Sequence, residues 1–142
     1  MTQTETRSVI VEREFAHPPS KVWRALTQPH LIEEWLMKID AAPDIVGRAF
    51  HLTGEWGGVL DCEVVTLEPE RVLAYRWDFA NPDPQYALSS VVTFTLTPQG
   101  SGTHLRMEQV GFRPDQKQAL GGARHGWAAF LQNMDALLTR ID

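Results

Sequence analysis

Cysteine occurs once in this chain, as Cys62, so no disulfide framework stands behind the fold. Basic residues are also few. Thirteen Lys and Arg stand against 18 Asp and Glu, for a net charge of −5. No cluster of Lys and Arg supplies the basic face that nucleic-acid binding requires. No apolar run approaches the ~20 residues of a membrane helix. The opening residues, Met1-Thr-Gln-Thr-Glu-Thr-Arg7, lack the basic and apolar regions of a signal peptide. These absences give an expectation of a cytoplasmic protein with neither nucleic acid nor membrane as partner.

Recognised chemical constellations are missing as well. His17, His30, His51, His104 and His125 form no i,i+3 or i,i+4 pair, and none stands at ligand spacing from Cys62. No metal or other cofactor is expected. Cys62 alternates with Leu60 and Val64, which suits a small buried hydrophobe better than a nucleophile. Ser89 and Ser90 have no glycine-elbow context. Gly54-Glu-Trp-Gly-Gly58 is followed by no Gly-Lys-Ser/Thr, so it reads as a hairpin turn and not a phosphate loop. Gly121-Gly122 suits a flexible hinge better than an anion-holding helix start. Asp61 and Glu63 share the strand face opposite Leu60, Cys62 and Val64, and so read as solvated.

What the chain does have is pattern. Its 142 residues suit one domain, residues 1–142, with 43% hydrophobic residues. Val9 to Phe15 reads as a strand with Val9, Val11, Arg13 and Phe15 on one face. Pro18-Pro19 opens a short helix, and Thr27 is placed to cap a second one bearing Leu31, Ile32, Trp35 and Leu36. Residues 40–46 read as a loop. Five further strands are expected, over residues 48–54, 58–67, 71–79, 89–97 and 103–112, separated by turn sequences of meander length. Alternation is clearest in Leu73, Tyr75, Trp77 and Phe79, in Val92, Phe94 and Leu96, and in Leu105, Met107 and Gln109. From residue 121 to 142 the period changes. Ala123, Trp127, Phe130, Leu131, Met134, Leu137, Leu138 and Ile141 make one apolar helical stripe. The expected fold is α+β: a curved six-stranded antiparallel sheet, two short helices after its first strand, and a long C-terminal helix packed across it.

Residues 15–35, with Phe15, Pro18, Val22-Trp23, Leu26-Thr27, Pro29 and Trp35, resemble the opening signature of the START-like helix-grip superfamily. The closest branch is the family named for the C-terminal domain of the activator of the Hsp90 ATPase. Residues 58–68, Leu73-Ala-Tyr-Arg-Trp77, residues 91–96, residues 102–112 and Gly126-Trp127 resemble it in the same order. The resemblance implies the helix-grip fold. It also implies several functions, since the superfamily includes ligand carriers, cyclases and co-chaperones, the last tied to the stress response. The activator's first domain has no counterpart in this chain.

The chain is rich in aromatics, and packing alone can explain them. A tryptophan-lined interior with a few polar groups is also the usual form of a small-molecule site. The expected walls are Phe50, Tyr75, Trp77, Phe94, Met107, Trp127, Leu131 and Met134, with Trp35, Leu36 and Met37 near the mouth. Arg13, Tyr75 and Gln109, with His51 as a further inward candidate, would orient a polar end. Binding of a small hydrophobic molecule is the leading expectation. A chaperone partner acting on the outer surface and a pocket enzyme such as a cyclase or hydrolase stay open, as do monomer and homodimer.

Overall fold

The computed structural model describes residues 6–142. Part of the signal-peptide reading, at Met1 to Glu5, therefore lies outside the described residues. In chain order the elements are β1 (Arg7–Phe15), α1 (Pro19–Thr27), α2 (Pro29–Trp35), β2 (Lys38–Ile39), β3 (Ala49–Thr53), β4 (Val59–Glu68), β5 (Val72–Phe79), β6 (Leu88–Gln99), β7 (Gly102–Phe112) and α3 (Lys117–Arg140). The strands form one antiparallel sheet in the order β1-β7-β6-β5-β4-β3-β2. Helix α3 lies across its inner face, as the switch from period two to helical period requires.

Seven strands replace the expected six. The extra one, β2, pairs Lys38 with Thr53 and Ile39 with Leu52 at the far edge. Two residues are too few to show an alternating period. Thr27 also departs from expectation. Its hydroxyl donates to the Trp23 carbonyl at 2.8 Å within α1. Gln28 instead holds the cap position of α2, without a side-chain cap, and Pro29 supplies the preset first turn. Helix α3 begins four residues before Gly121, so Gly121 and Gly122 sit inside it and form no hinge. Its start is fixed from outside the helix. The buried Gln116 side chain accepts from the Arg113 amide at 3.0 Å and donates to the Ala87 carbonyl at 2.7 Å. Such anchoring outweighs a helix-propensity cost of about 1 kcal/mol per glycine.

The inner face is continuous. Leu73, Val92, Phe94, Leu105 and Met107 from the sheet meet Trp127, Leu131, Met134 and Leu138 from α3, all of them buried. Phe94 is at the centre, with its ring centroid 6.2 Å from Trp35, 5.9 Å from Tyr75 and 5.7 Å from Trp127. The alternation of β7 breaks near its end. Counting alternately from buried Gln109, Phe112 would face outward. At Gly111 the backbone takes φ +139°, and a Cβ there would stand 2.3 Å from the Ser89 carbonyl oxygen. Only glycine lets β7 approach β6 so closely. The result is that Phe112 turns back inside and is buried.

Truncating a large aromatic at the centre of this face leaves an unfilled cavity. Phe94→Ala is expected to lower the free energy of unfolding by about 3–5 kcal/mol in urea melts. Ile10→Ala on the outer face should cost less than about 1 kcal/mol. The reverse ranking would mean that the inner and outer faces are exchanged.

Candidate functional site

The two halves of α3 carry different side chains toward the sheet. The second half presents Leu131, Met134 and Leu138, and these are packed solid. The first half presents Ala119, Gly122, Ala123 and Gly126, spaced i, i+3, i+4, i+7 along one helical face. A Cβ added at Gly122 or Gly126 would meet nothing within 4 Å. The helix therefore stands off from the sheet here and leaves a groove of about 360 Å³. Its floor and walls are Leu60, Trp77, Phe79, Leu88, Gln109, Phe112, Trp127 and Phe130, with Met37, Trp56 and Tyr86 at the edges. Trp56, Met37 and Phe130 also border a second, more polar hollow of about 630 Å³, which reaches Glu33, Lys38, Glu55 and Asn133.

One polar chain is built into the groove. The Trp127 indole N–H donates to Gln109 Oε1 at 2.8 Å. Gln109 Nε2 donates to Ser90 Oγ at 3.0 Å, and Ser90 Oγ donates to the Trp77 carbonyl at 2.7 Å. Gln109 and Ser90 are both buried. Four elements, α3, β7, β6 and β5, are thereby tied at one point. The Trp77 and Trp127 rings lie beside this chain, with centroids 5.2 Å apart.

Of the residues expected to form the site, Met37, Trp77, Gln109 and Trp127 line this groove. Leu36 borders only the second hollow. Phe50, Tyr75, Phe94, Met107, Leu131 and Met134 line neither. They are the packed core, with Tyr75 5.1 Å from Phe50 and 6.5 Å from Trp77 by ring centroid. Burial pushes the Tyr75 hydroxyl well above its ordinary pKa and keeps it neutral. Trp35 is a tie between the two short helices, its indole donating to the Ala25 carbonyl at 2.7 Å. Arg13 reaches Asp135 of α3 at 2.9 Å and lies away from the groove. The reason is register. Arg13 pairs with Leu105, whereas Gln109 pairs with Val9, four residues along β1 and so roughly 13 Å away. Cys62 is buried as a small hydrophobe, its thiol pushed up to about 12 mainly by burial.

The groove's remaining lining was missed in the sequence: Trp56, Leu60, Phe79, Tyr86, Leu88, Phe112, Phe130 and the small residues of α3. The available signal was the small-residue spacing itself. Among the described residues, no carboxylate, imidazole, ammonium or guanidinium group lines the groove. No cluster of metal-ligating residues occurs among them, and no helix among them is long and apolar enough to cross a membrane.

His51 faces outward, contrary to expectation. Its Nδ1 lies 2.8 Å from Asp40 Oδ2 and its Nε2 lies 3.3 Å from Asp61 Oδ1. The Asp40 hydrogen bond raises its pKa above the ordinary 6.5. Asp40 is lowered below its ordinary 3.8, first by accepting the His51 backbone N–H and then by the ring. The raised histidine stabilises the fold fully below 6.5, and that contribution is lost as pH rises through its folded value. The lowered Asp40 contributes above 3.8, and its contribution is lost as pH falls through its own folded value. The pair is therefore most effective in mildly acidic solution. An NMR titration should give His51 a pKa above 6.5, and Asp40→Asn should bring it down. No change in Asp40→Asn would show the pair is absent in solution.

Comparison with known proteins fits this geometry. The family model described as "Activator of Hsp90 ATPase homolog 1-like protein" matches residues 16–139. The crystal structure of protein MLL2253 from Mesorhizobium loti superposes with a TM-score of 0.92 at 60% identity, covering 96% of this chain and 99% of that one. CalU16 from Micromonospora echinospora gives 0.77 at 26% identity, covering 94% and 77%. DynU16, a protein of the dynemicin biosynthetic locus, gives 0.80 at 25% identity, covering 93% of this chain and 47% of that chain. No curated protein matches the sequence. With the helix-grip architecture and a family match over most of its length, the chain belongs to the family of proteins like the activator of the Hsp90 ATPase.

Proposed function

We propose that this protein binds a small, largely hydrophobic molecule in the groove between the first half of α3 and the sheet. The observation that carries this reading is the pairing of a small-residue helix face with an aromatic floor. Ala119, Gly122, Ala123 and Gly126 keep open a space that Trp77, Phe112 and Trp127 line. Glycines in a helix interior lower its stability. A helix that only needed to pack would carry larger residues there, as its second half does. The fold commonly binds hydrophobic ligands, and the placement of DynU16 in a biosynthetic locus supports a small-molecule role. Among the described residues, no charged group lines the groove to act as general acid or base, which favours binding over proton-transfer chemistry.

Ligand binding must stabilise the fold by mass action. A matching apolar compound at a hundred times its Kd adds about 2.7 kcal/mol, or roughly 5–10 °C in Tm for a domain of this size. A thermal-shift screen of apolar compounds should find such shifts, and Ala123→Phe, which fills the groove, should abolish them. A broad screen with no reproducible shift would sink the proposal.

The family match raises a second reading, action on the Hsp90 ATPase through the outer surface. We expect no stimulation of Hsp90 ATP hydrolysis by this chain alone. A saturable, several-fold rise that Ala123→Phe leaves intact would replace the groove reading.

A further inference from the structure

The hydrogen-bond chain at the groove floor has a fixed direction. An indole N–H can only donate, so the Gln109 oxygen must face Trp127 and its amide nitrogen must face Ser90. The Trp77 carbonyl can only accept, so the Ser90 hydroxyl proton is committed to it, and Ser90 must accept from Gln109. Both ends are closed. The Gln109 amide nitrogen carries two protons, and Ser90 takes one. The other meets no acceptor among the described residues. Gln109 is 2% exposed and is part of the groove wall. A donor left unmet among apolar groups is unfavourable, and an acceptor brought by a ligand would relieve it.

The surroundings narrow the ligand further. Since no charged group among the described residues lines the groove, an ionised ligand would lose its hydration and find no counter-charge from them. Trp56, Trp77, Phe79, Phe112, Trp127 and Phe130 offer ring faces and edges, which aromatic ligands match better than aliphatic chains. The volume of about 360 Å³ is at the small end of ligand sites and suits a body of two or three fused rings.

Building on the proposed groove function, we infer that its ligand is an uncharged aromatic compound bearing a carbonyl acceptor. That carbonyl meets the second Nε2–H of Gln109, which makes Gln109 the residue that sets specificity. The bond is non-covalent, and no reaction is involved.

Matched probes test this directly. 9-Fluorenone and fluorene share a tricyclic body and differ in one carbonyl. Calorimetric or tryptophan-fluorescence titration of the intact chain should give 9-fluorenone a Kd about three- to tenfold lower than fluorene, the range expected of one net hydrogen bond. Its 4-carboxylate should bind at least about tenfold more weakly than 9-fluorenone itself. Gln109→Met and Gln109→Glu both remove the spare donor, and the glutamate keeps an acceptor for Trp127. In either folded variant the preference for 9-fluorenone should fall below about twofold. Near-UV circular dichroism checks folding, and the wild-type comparison decides even if both variants unfold. Equal wild-type affinity for the two compounds, with binding of both abolished by Ala123→Phe, would leave the groove reading standing and overturn this inference. A preference that persists in a folded Gln109 variant would also overturn it. Binding of neither compound would overturn this inference, while the groove reading stands or falls by the broad thermal-shift screen.

Discussion

The structure depends on how one helix fills space unevenly. Helix α3 must cover a sheet far wider than itself. It does so by carrying large residues over the centre and second half, and small ones over the first. Leu131, Met134 and Leu138 press into the face carrying Phe94 and Met107 and leave no gap. Interiors are packed to near-crystalline density, so such a face has no room for a guest. A cavity can persist only where the side chains are too short to reach. Ala119, Gly122, Ala123 and Gly126 meet that condition, and Trp127 marks the boundary between the two regimes.

At that boundary the polar chain through Gln109 holds the helix at a fixed distance. Apolar contact alone is non-directional and would let the first half of α3 settle onto the sheet. A 2.8 Å bond from the Trp127 indole to Gln109, itself held by Ser90 and the Trp77 carbonyl, fixes both separation and rotation. At the far end of the groove Gln116 does the same, tying the helix start to Ala87. The groove is thus pinned at both ends by buried amides. An amide is costly to bury without partners, and both side chains are held by several hydrogen bonds, with one Gln109 proton left over.

Much of the fold is legible in the sequence because it rests on short-range periodicity. Val92, Phe94 and Leu96 alternate with threonines, and this alternation assigns the inner face without any knowledge of neighbours. Strand β2 is not legible, being too short to have a period. The start of α3 is hidden because Gly121-Gly122 resembles a break, while the contact that overrides it, Gln116 to Ala87, joins residues 29 apart. For the site, large aromatics suggest walls. Phe50, Tyr75 and Phe94 instead fill space, and the emptiness is written in the small residues. Phe112 is hidden by the Gly111 irregularity, which breaks the alternation that would have assigned it. Gln109 is legible, being a lone amide in an apolar row, but its partners are not. Arg13 has the right face and the wrong end of the sheet, a distinction that needs the β1–β7 register.

The polar half of the molecule is arranged so as not to compete with the groove. His51, Asp40, Asp61, Arg76 and Asp78 pair with one another on the outer face of the sheet. Arg13 pairs with Asp135 beside the second half of α3. Charge is thus matched locally and kept out of the space beneath the first half of α3. On the proposed function, what would select a guest there is shape, ring contact and a single oriented amide. Such a site discriminates weakly between apolar compounds of similar size, since one methylene contributes only about 0.8 kcal/mol. It discriminates more sharply against charge, because an ion must be stripped of water with nothing to replace it. On the proposed function, the selectivity of the groove would therefore come more from what the surrounding wall withholds than from the number of contacts it offers.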